Sequence, residues 1–271
     1  MQQKNNSKKI TQSKKKSTPT KPAQTSWGNV AEWYDTHLET SPDSYQAKVI
    51  APNLSRLLAL KPNMHVLDLA CGQGFFTRKW KAEGARVVGA DISEELITAA
   101  KKHSPNIEFH ATPAHKLGFA KDNSFDVVTI VLAIQNIENM TEVFAEVHRV
   151  LKKGGRFVLV LNHPAFRIPK RSSWGWDAKA GMQYRRIDGY LSSKKVSIDM
   201  QPSKSGVVHT ISYHRPLQEF FKVSSKTGFM VSKLEEWISH KKSQSGPRQA
   251  AEDTARKEIP LFMMLEITKA G

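Results

Sequence analysis

The chain has a single cysteine, Cys71, in 271 residues. No internal disulfide can form, and a reducing compartment, the cytoplasm, is the expected location. No apolar run approaches the ~20 residues of a membrane-spanning helix, and no apolar signal segment opens the chain. Acidic residues are missing from residues 1–26, which carry seven lysines, so the net charge of +16 leaves +9 for the remainder. This stretch also has few large apolar side chains, so it buries too little to offset the entropy of ordering, and a disordered basic tail is expected. Its charge suits loose contact with nucleic acid or another anionic surface. Lacking arginine and an amphipathic period, it does not fit an organellar transit peptide. The ten histidines are scattered and the cysteine sits in a glycine turn, so no metal cluster is expected.

What is present, from Trp27 onward, is one domain with an ordinary globular composition, 39% hydrophobic. "WGNVAEWYDTHL" has helical spacing, and "SYQAKVIAPNLSRLLAL" is a second helix interrupted by Pro52 and ended by Pro62. Together residues 27–61 make an N-terminal helical cap. Strand and helix patterns then alternate: "HVLDLA", "FFTRKWKAEG", "ARVVGAD", "SEELITAAKKH" capped by Ser93, "NIEFHAT", "SFDVVTIVLAI", "TEVFAEVHRVLKKGG" and "RFVLVLN". Near-continuous apolar strands between helices imply a parallel sheet covered on both faces. The pattern breaks after Asn162, and residues 163–215 are expected to be an irregular lid or substrate wall. Beyond it lie a helix in "PLQEFFKVSSKTGF", a strand in "FMVSKLEEW", a linker, and a last strand "PLFMMLEIT", the two strands forming an antiparallel edge hairpin. The fold class is α/β, a doubly wound, Rossmann-like, mostly parallel sheet of seven strands with an insertion after strand five.

"HVLDLACGQGFFTRKW" places Gly72 and Gly74 where strand one meets its helix, at the switch point where such sheets bind ligands. The dinucleotide fingerprint needs a third glycine, and that position is Thr77. A phosphate loop needs Gly-Lys-Ser/Thr, which is absent. Asp68 lies inside the apolar run of strand one, where a carboxylate is costly without a partner, and an ammonium group would supply one. Asp91 ends strand two, where an acid accepts two hydrogen bonds from ribose hydroxyls. A ligand with an amino-acid end near strand one and a ribose near strand two is S-adenosylmethionine.

"VLDLACGQG" followed by "ADIS" resembles the first two motifs of class I S-adenosylmethionine-dependent methyltransferases. The likeness continues through "PAHKLGFAKDNSFDVV", "VFAEVHRVLKKGGRFVLV" and "YHRPLQEFFKVSSKTGF", covers about residues 27–269, and is nearest to the small-molecule branch that includes ubiquinone- and menaquinone-type methyltransferases. The resemblance implies that Asp68 faces the methionine ammonium and that Ala70, Gly72 and Gly74 offer backbone contacts to the methionine portion. It further implies that Asp91 holds the ribose diol, Ile92 packs on adenine, Ala114 and His115 edge the adenine, and Leu132 lines the reactive end. Tyr34, on the first helix, is expected at the methyl end.

Methyl transfer is an in-line displacement at a carbon the sulfonium already activates, so the protein mainly aligns the acceptor and excludes water. Where the acceptor brings a proton, His214 or His163 is the expected base. The insertion supplies Trp174, Trp176, Tyr184, Arg185 and Tyr213, suited either to an aromatic or anionic acceptor or to a packed lid. The leading function is transfer of a methyl group to a small molecule. An RNA-modifying enzyme tethered by its tail is a second reading, although "LAIQN" stands where many base-amine methyltransferases carry Asp/Asn-Pro-Pro-aromatic. A non-catalytic cofactor-binding protein is the third. Nothing in the sequence sets an oligomeric state.

Overall fold

The computed structural model describes residues 27–28, 31–203 and 206–270, without the side chains of residues 33–34, 37–39 and 201–208. The tail expected over residues 1–26 lies outside the described residues. The central sheet contains β1 (His65–Leu69), β2 (Arg86–Asp91), β3 (Glu108–Ala111), β4 (Phe125–Val131), β5 (Leu151–Asn162), β10 (Phe229–Trp237) and β11 (Phe262–Lys269). Their order is β10-β11-β5-β4-β1-β2-β3, with β1 to β5 mutually parallel and β11 antiparallel to both neighbours. The order reverses between β1 and β4, so the carboxyl ends of these two strands flank the switch-point crevice.

Two-residue alternation divides the strands between two cores. Val66, Val127, Val158, Val160 and Met264 meet Leu54, Leu57 and Leu58 of α2 (Ala51–Leu58) and Phe76 and Trp80 of α3 (Phe75–Ala82). Leu67, Leu69, Val128, Ile130, Phe157, Leu159 and Leu265 turn the other way, onto Val143, Phe144 and Val147 of α5 (Met140–Val150) and Phe220 of α6 (Leu217–Lys226). Both faces are covered, which is why the strands read as near-continuous apolar runs. Ile97 and Ala100 of α4 (Glu94–His103) pack on Phe109. The Ser93 hydroxyl caps α4, accepting from the Leu96 amide at 3.2 Å.

Several expectations change. The first helix, α1, runs Ala31–Thr40. Pro52 does not interrupt the second. It occupies the first turn of α2, where its missing N–H is not needed, and a π-helical turn over Gln46–Ile50 leads into it. That helix ends at Leu58, through Ala59 in the left-handed region, before Pro62 is reached. The last two strands form the expected antiparallel pair at the sheet edge, with β11 between β5 and β10, but the linker between them, residues 238–261, holds the helix α7 (Gln249–Glu258). The insertion is regular. It forms two antiparallel hairpins, β6 (Ser172–Asp177) with β7 (Met182–Ile187) and β8 (Lys194–Ser203) with β9 (Gly206–His214). The faces of β6 and β7 are only half-buried, and the buried positions of β9, Thr210, Ser212 and His214, are polar, so the hydrophobic alternation that marks a strand is weak.

Candidate cofactor site

A cavity of about 290 Å³ opens at the carboxyl ends of β1, β2 and β4. Its walls come from four segments: Trp27 and Gln46 of the N-terminal cap, the turn after β1, the turn after β2, and residues 131–139 after β4. Asp68, Ala70, Gly72, Asp91, Ile92, Ala114, His115 and Leu132 of the expected cofactor set all line it.

Asp68 shares a strand face with Val66, so its carboxylate points between the sheet and α3 at the cavity floor. It accepts from the Thr77 hydroxyl at 2.6 Å and the Thr129 hydroxyl at 3.1 Å. No cation among the described residues reaches it, and burial pushes its pKa up to about 6, a rise the two threonines only partly offset. A carboxylate has four lone-pair positions, and the two hydroxyls do not fill them all. Asp91 accepts from the Gly72 amide at 2.9 Å and the Ser93 amide at 2.9 Å, one at each oxygen. Burial raises its pKa as well, against the hydrogen bonds from Ser93 and Gly72. Both oxygens are therefore fixed in place with lone pairs to spare. The Cys71 thiol sits on the same wall and is held in its neutral form by burial and by Asp68 and Asp91 nearby.

The turn is built from left-handed residues: Ala70 (φ 55°), Gly72 (φ 57°) and Gly74 (φ 84°). An alanine in that region costs roughly 1–2 kcal/mol, as does Leu132 (φ 55°) on the facing wall. Two strained non-glycine residues on one cavity fit a site where backbone shape matters more than local stability. The Cys71 amide bonds to the Ala90 carbonyl at 3.0 Å, pinning the turn to β2.

Some expected residues fall elsewhere. Gly74 does not line the cavity. It starts α3, and a side chain there would sit 3.2 Å from the Phe109 ring. The Gly72 amide is occupied by Asp91. His163 is buried away from the cavity: its Nδ1 accepts from the Ala165 amide at 3.2 Å, leaving Nε2 to donate to Glu236 at 2.6 Å. Burial lowers its pKa, more than Glu236 raises it. His214 is also buried and donates Nε2 to the Tyr190 carbonyl at 2.7 Å. Neither histidine, both expected as general bases, lines the cavity. Trp174, Trp176, Tyr184, Arg185 and Tyr213 are likewise absent from its wall. Trp174 lies under Arg167 and Arg185, Trp176 under Arg248, and Tyr213 under Lys195 and Arg215. The side chain of Tyr34 lies outside the described residues.

Sequence reasoning missed Thr77 and Thr129, Trp27, Gln46, Phe75, and the wall from Ile137 to Asn139. The hydroxyl at the third-glycine position was the available signal for Thr77. The wall after β4 is held from a distance: Arg215 donates to the carbonyls of Ile134, Ile137 and Glu138, and Asn136 donates to the Ile211 carbonyl at 2.8 Å. Among the described residues no cluster of three or more histidine, cysteine or acidic side chains could hold a metal. No helix among them is long and apolar enough to cross a membrane.

Strand order, glycine turn and the acid ending β2 define the class: this is the class I S-adenosylmethionine-dependent methyltransferase fold. Residues 67–159 match the family described as "Methyltransferase domain". It is 38% identical over 130 residues to a demethylmenaquinone methyltransferase of Chlorobaculum parvum, covering 46% of this chain and 54% of that protein. A Renibacterium salmoninarum protein of the same name is 39% identical over 106 residues, 39% of this chain and 44% of that one. The chain thus spans about half the length of these relatives. Among solved structures, an S-adenosylmethionine-dependent methyltransferase from Mesorhizobium loti superposes with a TM-score of 0.64 at 25% identity, covering 80% of this chain and 96% of that one. A putative one from Listeria monocytogenes gives 0.62 at 24%, covering 82% and 100%, and shares the fold.

Proposed function

We propose that this protein transfers a methyl group from S-adenosylmethionine to a small-molecule acceptor, releasing S-adenosylhomocysteine. The observation that carries the reading is the pair of buried acids on one cavity wall, one of them with no cation to meet. Asp68 would face the ammonium of the methionine portion, and Asp91 would hold the ribose diol through its two oriented oxygens. Ile92 is 53% exposed although it is a large apolar residue beside a cavity, which suits packing against the adenine face. Ala114 and His115 would edge the ring, and Leu132 would stand at the reactive end. The bound sulfonium supplies an already activated methyl group. The chain's part is to orient and to exclude water, and the aromatic rings of Trp27, Phe75 and Phe76 on the cavity wall serve the second task.

With His163 and His214 turned elsewhere, the polar groups near the Leu132 wall are Gln46, Asn136, Glu138 and Asn139. They would orient the acceptor. A demethylated quinone is the first acceptor to test, because the relatives cited carry that specificity in their names. The insertion that would shape acceptor choice, residues 163–215, lies beyond the family match. A cytoplasmic location belongs to the same proposal. The test is incubation with methyl-labelled S-adenosylmethionine and a cell extract divided into small-molecule, RNA and protein fractions. Label is expected in the small-molecule fraction, and label found only in RNA would overturn the acceptor class.

A further inference from the structure

Away from the cavity, three arginines gather where the β6–β7 hairpin meets α7 and the segment after β5. Arg167 is half-buried, and its Nε is fully enclosed with no hydrogen-bond partner. Its guanidinium stacks on Trp174 at 5.6 Å and takes part in no ion pair among the described residues. Arg185 lies over the same indole at 5.2 Å and anchors itself on neutral groups, the Phe166 carbonyl and the Ser172 hydroxyl, both at 2.8 Å. Arg256 of α7 reaches in with its Nε on the Ser243 hydroxyl at 2.9 Å, and Asp253, which accepts from the Ser243 amide at 2.7 Å, is the acid whose charge acts on it, leaving Arg167 and Arg185 without one among the described residues. Burial and the like charges of Arg185 and Arg256 pull the Arg167 pKa down, with Tyr45 the only group acting the other way.

Such an arrangement is unfavourable in isolation. Burying a guanidinium without a counter-charge costs several kcal/mol, and neighbouring like charges add to it. Surface arginines usually escape by pairing, as Arg56 does with Glu235 and Arg149 does with Glu146 and Asp122 elsewhere in this chain. Here the hairpin register sets Arg185 opposite Trp174, and the neighbouring pair sets Gln183 opposite Trp176. The hydrogen bonds of Arg185 and Arg256 fix their forks by one edge and leave other N–H groups available.

We propose that Arg167, Arg185 and Arg256 form a binding site for an anionic group, a carboxylate or a phosphate, seated beside Trp174. Planar guanidiniums bind either oxyanion through paired N–H groups, and a partly desolvated site strengthens the contact. The site is separate from the cofactor cavity, whose wall contains none of these residues. The anion is either a charged group carried by the acceptor or a free anion.

The test uses the full chain at constant ionic strength, titrated with inorganic phosphate and with acetate against chloride. Isothermal titration and thermal unfolding are read for the natural protein, Arg167→Gln, Arg256→Gln, and Arg86→Gln as an exposed control. Saturable binding of at least one of the two anions is expected, weakened about tenfold or more by Arg167→Gln or Arg256→Gln and unchanged by Arg86→Gln. Without added anion, Arg167→Gln should melt at or above the natural midpoint, because an uncompensated buried charge has gone. A purely structural Arg167 predicts a lower midpoint at every anion concentration, and that result would overturn the site. So would the absence of saturable binding, or equal loss in the Arg86→Gln control. Competition between phosphate and acceptor in the methyl-transfer assay assigns the anion to the acceptor, and its absence assigns a free anion. Anion binding is measured without turnover, so it stands or falls independently of the proposed activity.

Discussion

Replacing Asp68 by asparagine tests the reading of the cavity most directly, because stability and affinity should move in opposite directions. Asp68 titrates at about 6 in the folded chain against 3.8 for an unperturbed aspartate. An acid whose folded pKa is raised destabilises the fold once it must ionise. The penalty is absent below the unfolded value, grows between pH 3.8 and 6, and is complete above pH 6. Its full size is on the order of 3 kcal/mol, taking 1.36 kcal/mol per pKa unit. Asparagine keeps the shape and can still bond to Thr77 and Thr129, since each hydroxyl can donate or accept. The ligand-free Asp68→Asn variant should therefore unfold at a higher temperature than the natural protein at pH 8, by up to roughly 6–12 °C. The difference should shrink to about half by pH 5. S-adenosylmethionine binding should show the reverse. The natural protein should lose roughly tenfold in affinity from pH 7 to pH 5 as Asp68 takes up a proton, whereas the variant should bind weakly and without that pH dependence. Calorimetric titration across this range, with thermal unfolding alongside, decides the matter. A variant no more stable than the natural protein at pH 8, together with flat affinity from pH 7 to 5, would refute the claim that this carboxylate waits for a cation.

Other substitutions separate cofactor binding from packing. Asp91→Ala should weaken S-adenosylmethionine binding by roughly 10- to 150-fold, the loss of a hydrogen bond to a charged group; unchanged affinity by titration would remove Asp91 from the site. His163→Ala should lower thermal stability by about 1–3 kcal/mol, by stranding two backbone amides, while kcat and KM stay as they were; a selective fall in kcat would make it a base. Gly89→Ala should destabilise by roughly 1–3 kcal/mol, since the new methyl would sit 2.5 Å from the Phe109 ring. Chemical denaturation of Gly89→Ala with Phe109→Leu should show recovery, and equal loss in the pair would place the strain elsewhere.

The local chemistry of residues 65–162 carries most of the fold. Apolar runs such as "VVTIV" demand burial on both faces, and Ser93 marks a helix start wherever the chain is placed. Asp68 and Asp91 were legible for the same reason: an acid at the end of an apolar strand conflicts with its surroundings unless a ligand resolves it. The reversal of strand order between β1 and β4 brings those two strand ends to one crevice, so the cavity follows from sequence once the sheet is recognised.

Beyond Asn162 the sequence decides less. The hairpin β6–β7 is half-solvated, and its register rests on cross-strand pairs such as Trp174 with Arg185 that no periodicity announces. His163 looked available because it follows strand five, and His214 because it stands just before a helix. Whether an imidazole is free depends on Glu236 and Tyr190, residues distant along the chain. The same holds for the unpaired charge of Arg167. A side chain's chemistry is written in the sequence, but its partners, and so its protonation and its spare hydrogen-bonding capacity, are set only when remote segments pack around it.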